Sequence, residues 1–288
     1  MRTGWNRLVV LTAMGLMTLA LAPPQASAAS LGLSSDSTSG CRPRDSMRVA
    51  RIWILAGQSQ ATTFGMNANT VPAGWKPDPG VQIWVSGPEP ASSRWEMYRP
   101  GVNSAPKGQW GPELQLSARL RRWNPTTQLF FIKHAPGQTG VAFDPSENDW
   151  SPLSQGEAWA RLKGMVSAAL KTCEGRVDAV FWMGNHSDGL RQEKAERVGA
   201  NMKALIDLSR LEWGSEIKWV VGLPDDTAPY APTVQRDLRA LAASEPNVVI
   251  FETADYETQE DGLHYNARSV HRLGDDFFES WKALAAGK

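Results

Sequence analysis

Cysteine, histidine and long apolar runs are all scarce in this chain. Two cysteines, Cys41 and Cys173, and four histidines among 288 residues form no cluster at metal-ligand spacing, so no metal is expected, and no motif asks for another cofactor. In an oxidising compartment Cys41 and Cys173 could form one disulfide. Neither sign of charge dominates: 30 Lys and Arg stand against 30 Asp and Glu. No basic stripe of the kind that holds nucleic acid is visible, so no nucleic-acid partner is expected. The longest apolar run, residues 8–21, falls short of the about 20 residues a membrane span needs.

That run has the company of a secretory signal instead. Arg2 and Arg7 provide a basic start and Ala26-Ser27-Ala28 a small-residue cleavage site, so residues 1–28 read as a signal peptide cut near Ala28. The mature protein is expected to be secreted or periplasmic, with no membrane segment. Its formal charge becomes 28 − 30 = −2, because the leader holds Arg2 and Arg7 and no acid. Residues 29–46, rich in Ser, Gly and Asp, read as a linker, and residues 47–288 as a single domain. The sequence leaves the oligomeric state open.

Within that domain apolar strand-like runs alternate with helical periodicity. Strands are expected over residues 49–56, 81–85, 128–133, 177–182, 217–223 and 248–251. Gly111-Pro112-Glu113-Leu114 opens a helix, with proline in its first turn and an acid at its positive end. Glu113 is assigned to structural support or helix capping there, outside the catalytic set. Ser154-Gln155-Gly156-Glu157 fits a capping box for a helix reaching Lys171, one long helix is expected over residues 190–211, and others over 231–243 and after Tyr265. The alternation implies an α/β fold: a three-layer α/β/α sandwich around a mostly parallel sheet. Ligands of such sheets sit beyond the carboxyl ends of the strands. Several of the 13 tryptophans fall in loop-rich stretches, and Trp75, Trp84, Trp95, Trp110 and Trp150 are candidates for stacking on sugar rings.

Two motifs carry chemistry. The first strand ends in Gly57-Gln58-Ser59-Gln60, a serine presented directly after a glycine turn. Asp261-Gly262-Leu263-His264 places a carboxylate three residues before an imidazole, between the last strand and the last helix. Serine as nucleophile, histidine as base and aspartate as the group that fixes the imidazole tautomer divide the labour of acyl transfer. The pattern is not the Gly-x-Ser-x-Gly elbow of the α/β-hydrolases: Ala61 takes the last glycine position, and the serine follows the first strand rather than a later one.

Together with Trp110-Gly111-Pro112-Glu113-Leu114, Ala135-Pro136-Gly137-Gln138-Thr139 and Trp182-Met183-Gly184-Asn185-His186-Ser187-Asp188, these motifs resemble the SGNH hydrolase superfamily. Within it they are most similar to the sialate O-acetylesterase and acetyl xylan esterase group, carbohydrate esterase family six. The resemblance implies a flavodoxin-like sheet, Ser59 as nucleophile, His264 as base and Asp261 as its partner. It also implies an oxyanion hole from the backbone amides of Ser59 and Gly137 and one side-chain amide. The group shows Trp-x-Gln-Gly-Glu-Ser-Asp where this chain has Gly184 in place of glutamine, so Asn185 is the candidate for that last donor. Its alternative role is a helix cap. Gln58, Gln138 and His186, beside these motifs, are candidates for substrate contact. The implied activity is removal of O-acetyl groups from a carbohydrate, an acetylated polysaccharide or sialic acid, through an acetyl-serine. The alternatives are O-acyl transfer to a sugar by the same triad, and a non-catalytic carbohydrate-binding protein on an esterase scaffold.

Overall fold

Val, Ile, Leu and Trp in an unbroken run suit a strand covered on both faces, and the first strand, β1 (Ala50–Gly57), is such a strand. Its side chains alternate between two cores: Ile52, Ile54 and Ala56 enter one, Trp53 and Leu55 the other. The computed structural model describes residues 50–62, 70–85, 94–104, 108–145, 148–153, 157–172 and 174–287. The expected leader and linker, residues 1–46 with Cys41, lie outside the described residues, as does Cys173.

Six further strands follow: β2 (Val81–Val85), β3 (Glu96–Met97), β4 (Leu129–His134), β5 (Gly175–Met183), β6 (Lys218–Gly222) and β7 (Val248–Phe251). They form one sheet in the order β3-β2-β4-β1-β5-β6-β7. Only the short β3, which the apolar pattern does not reveal, is antiparallel to its neighbour β2. One face is covered by α2 (Glu113–Trp123) and α7 (Ala267–Ala285), whose Leu114, Leu116, Val270, Leu273, Phe277 and Trp281 join the Trp53 core. The other is covered by α3 (Ala158–Lys171), α5 (Val198–Trp213) and α6 (Ala231–Ser244). The fold is thus the three-layer α/β sandwich. Full burial of each large apolar side chain in these layers contributes about 1.5–3 kcal/mol.

A charge inside one core has a local explanation. Lys133 of β4 is 0 % exposed, and its Nζ lies 2.8 Å from Oε2 of Glu113, itself 1 % exposed. Ser104 and Tyr98 hydroxyls donate to the other carboxylate oxygen at 3.1 and 3.4 Å. Glu113 is therefore a buried anchor between β4 and the start of α2, the structural support that is one of the two roles expected for it. Removing one partner of such a pair strands a charge and costs about 3–5 kcal/mol.

Three expectations need correction. The helix expected over 190–211 is divided into a 3-10 turn at Asp188–Leu190, a single turn α4 (Gln192–Ala195), and α5. Arg191 is extended, with φ −134° and ψ 134°, and Lys194 turns inward to Asp144 at 2.6 Å, so this segment follows a neighbouring loop instead of winding on. Helix α3 also starts later than the capping box implies: Glu157 itself stands at its N-cap with no side-chain cap bond, and Ser154 lies outside the described residues. Among the five loop tryptophans, Trp84, Trp95, Trp110 and Trp150 are buried at 3, 2, 0 and 1 % exposure. Their rings fill core space beneath the loops; Trp75 alone of the five is half-buried.

Candidate active site

The strand order places β1 at the centre, with β4 and β5 on either side and their carboxyl ends level. Ala56 is in register with His134 of β4 and with Trp182 of β5. From β4 the chain crosses to β5 and then moves outward through β6 to β7, so the loops after β1, β4 and β5 lie side by side at one end of the sheet. Gly57 makes the turn out of β1. Its φ of 126° lies in the region that favours glycine, and a Cβ there would fall 2.0 Å from the Met183 carbonyl oxygen.

Ser59, half-buried, is the first residue of the single turn α1 (Ser59–Thr62). Its hydroxyl donates to Oε1 of Gln60 at 3.3 Å, and Nε2 of Gln58 donates to the same oxygen at 2.9 Å. The other end of Gln58 accepts the Ser187 backbone N–H at 3.3 Å. Gln58 is 2 % exposed, so its amide is committed inside the protein rather than displayed to substrate. Gln60, which sequence reasoning passed over, is the partner that both neighbours share.

The loop after β4 approaches from one side. A Cβ placed on Gly137 would be 3.8 Å from Cβ of Ser59, which puts the Gly137 backbone against the serine. Gln138 is exposed and has a φ of 60°, so its side chain stands at the surface of the same turn. Beneath it, the Trp150 indole N–H is shared between the Gly57 carbonyl and the Thr139 hydroxyl, both at 3.0 Å. His134 packs on Trp150 with ring centroids 5.5 Å apart. Burial, reinforced by the charge of Arg161 and only partly offset by a hydrogen bond with the Ala158 backbone, lowers the His134 pKa to about 4.

The β7–α7 loop brings the acid and the imidazole together. Oδ2 of Asp261 lies 2.6 Å from Nδ1 of His264, while Oδ1 accepts the backbone N–H groups of Leu263 and His264, each at 2.9 Å. Desolvation works against ionisation of Asp261, but these three hydrogen bonds outweigh it and bring its pKa down to about 2. At the far end of the loop the Asn266 side chain accepts the Ser269 N–H at 3.0 Å, capping α7 and fixing where the turn ends.

His186 lies on the loop after β5 and faces the loop after β6. Ser187, its neighbour, donates to Gln58 next to Ser59. Nε2 of His186 lies 3.0 Å from the Thr227 hydroxyl, which donates to Asp225. Burial lowers the His186 pKa; Asp225 opposes this and His264 adds to it. Thr227 and Asp225, on the loop after β6, had no motif to announce them.

Asn185 lies inside the loop after β5. It is 0 % exposed; its Oδ1 accepts the Trp182 indole N–H at 2.8 Å and its Nδ2 donates to Asp188 at 3.3 Å. Its φ of 71° is left-handed, a conformation asparagine tolerates better than most residues. In the pattern Trp-x-Gln-Gly-Glu-Ser-Asp, position 185 is the glycine. One N–H of its amide is thus committed to Asp188. Trp182 fills the space beside Gly184, where a Cβ would meet the indole at 3.1 Å.

A family model described as carbohydrate esterase, sialic acid-specific acetylesterase matches residues 49–283. Among solved structures, a protein from Arabidopsis thaliana has 19 % identity and a TM-score of 0.70, the match covering 82 % of this chain and 99 % of that one. NanS follows at 12 % identity and a TM-score of 0.61, covering 83 and 98 %. A carbohydrate acetylesterase from Xanthomonas citri has 13 % identity and a TM-score of 0.58, covering 82 % of this chain and 56 % of its own. At these identities the likeness is one of fold. No protein of curated function matches the sequence.

Proposed function

Because the chain belongs to the carbohydrate esterase family of sialic acid-specific acetylesterases, and so to the carboxylic ester hydrolases, we propose that it is an exported serine esterase that removes O-acetyl groups from a carbohydrate. The observation that carries the reading is the Asp261–His264 contact of 2.6 Å. A carboxylate at Nδ1 leaves Nε2 as the basic nitrogen, which is what a serine nucleophile needs.

In this reading Nε2 of His264 takes the Ser59 proton as Oγ attacks the acetyl carbonyl. The oxyanion that forms is received by the backbone N–H groups of Ser59 and Gly137, and each such donor is worth roughly a hundredfold or more in rate. Collapse expels the sugar hydroxyl, protonated by His264, and leaves acetyl-serine. Water, deprotonated by the same imidazole, then releases acetate and restores the serine. Asn185, held by Trp182 and Asp188, contributes by fixing the loop that carries it. His186 and the exposed Gln138 are the side chains best placed to meet the sugar. Residues 1–28 direct export, residues 47–288 form the esterase domain, and Cys41 and Cys173 are the pair available for a disulfide.

The test is hydrolysis of a small aryl acetate by the purified mature protein, with acetate release from acetylated xylan, acetylated sialic acid and acetylated pectin measured alongside. Ser59→Ala should abolish all of it while leaving the circular dichroism spectrum unchanged. Activity that survives this substitution would overturn the assignment of Ser59.

A further inference from the structure

The aspartate that closes the third motif touches neither Ser59 nor His264, yet it holds both loops that flank the serine. Asp188 is 0 % exposed. Its Oδ1 accepts the N–H groups of Val141 and Ala142 at 3.0 Å each; its Oδ2 accepts from Val141 at 3.0 Å and from Nδ2 of Asn185 at 3.3 Å. A carboxylate buried in this way needs every one of its acceptor sites filled. The donors that fill them belong to the loop after β4, which carries Gly137, and to the loop after β5, whose Ser187 N–H binds Gln58. Asp188 thus stands where the donor loop and the nucleophile turn are tied to each other.

The fit against the loop is close. A Cβ on Gly140 would fall 2.6 Å from Oδ1 of Asp188, so the carboxylate packs directly on the loop backbone. Gly140 in turn accepts the Trp150 N–H at 2.8 Å, and the Trp150 indole returns to Gly57. Asp144 makes a second link between the same loops through Lys194 at 2.6 Å and Arg191 at 3.4 Å.

We infer that Asp188 is a positioning residue of the esterase site, whose carboxylate sets the distance between the Gly137 backbone amide and Ser59. The inference rests on the reading of Ser59 as nucleophile and Gly137 as oxyanion donor. It follows from two general facts. An oxyanion hole acts only when its donors are already in place, and a misplacement of about 1 Å costs roughly a hundredfold in rate. Asparagine at position 188 keeps one acceptor but points an amide donor at groups that are themselves donors, so the loop after β4 loses its register.

The experiment uses the mature protein, an aryl acetate as substrate, and three variants. Asp188→Asn should lower kcat roughly a hundredfold with KM within about threefold, because the lost interaction belongs to the transition state. Hydrogen exchange should rise in the segment spanning residues 135–145 and stay unchanged in the strands. Gly140→Ala, which displaces the carboxylate without removing its charge, should move kcat in the same direction and provides the answer if Asp188→Asn does not fold. Asp178→Asn is the control for a structural role: Asp178 is also buried, but it binds Arg51 and Trp281 near the opposite end of β5. It should lower the melting temperature and leave kcat within about twofold. If Asp188→Asn and Gly140→Ala, folded, keep kcat within twofold, the inference is overturned and the esterase reading stands. A wild-type protein without acetate release overturns both.

Discussion

The Asp261 carboxylate meets His264 twice, with Oδ2 at 2.6 Å from the ring Nδ1 and Oδ1 accepting the backbone N–H of the same residue at 2.9 Å. A turn of four residues therefore holds both the backbone and the Nδ1 side of the imidazole. Asp261→Asn should leave the turn folded and lower kcat for an aryl acetate. The size of the loss follows from exposure. A triad acid that is fully enclosed is worth up to ten-thousandfold, but 45 % of the Asp261 side chain meets solvent, which screens its charge. A loss of roughly a hundredfold in kcat, with KM little changed, is the expected result; a loss under fivefold would mean that His264 is oriented by something else.

Two buried groups should give the stability of the protein opposite responses to acid. His134 has its pKa lowered to about 4 in the folded state, first by burial, so between pH 6.5 and about 4 the unfolded chain binds the proton and the folded one does not. Its contribution is complete above pH 6.5 and is lost on acidification toward 4, up to roughly 3 kcal/mol. Asp188 has its pKa raised to about 6, chiefly by burial and against the pull of its hydrogen bonds. Between about 6 and 3.8 the folded state takes up the proton, so acidification through that window favours folding. In urea unfolding at pH 7 and pH 4.5, His134→Gln should show a smaller acid loss than the wild type and Asp188→Asn a larger one. Equal slopes in all three proteins would refute both assignments.

What the sequence conveyed depended on how far each residue's partner lies along the chain. β1, β4 and β5 were legible because burial on both faces demands an unbroken apolar run, and α7 because Val270, Leu273, Phe277 and Trp281 repeat at helical spacing. The Asp261–His264 contact was legible because its partners are three residues apart. The division of the 190–211 segment was not, since Arg191 and Lys194 look like ordinary helix-surface residues and their partner Asp144 lies on a different loop. Composition marks a tryptophan as able to face a sugar, but it cannot distinguish Trp75 from Trp150, whose indole N–H is used by Gly57. The left-handed backbone of Asn185 was legible in part, because the residue stands at the glycine of the motif pattern; the bonds of its side chain to Trp182 and Asp188 were not.

The charge of the loops around the site leads to a prediction about substrate. Residues 252–266 carry five acids and no lysine or arginine, and residues 223–230 add Asp225 and Asp226; Glu252 is paired with Arg239. Arg268 and Arg272, on the adjoining helix, already face Glu257 and Asp255. The carboxyl ends of β6 and β7, with Asp225, Asp226, Glu260 and Asp261, thus open into a negative field, which repels an anionic ligand until salt screens it. For an acetyl ester of a carboxylate-bearing sugar, kcat/KM should rise severalfold as ionic strength goes from about 20 to about 200 mM, while for a neutral acetylated sugar it should stay nearly flat. Replacing Asp226 and Glu260 with lysine should raise kcat/KM for the anionic ester at low salt and leave the neutral one unchanged. An anionic ester whose kcat/KM falls with added salt would instead place an unrecognised cation at the mouth of the site.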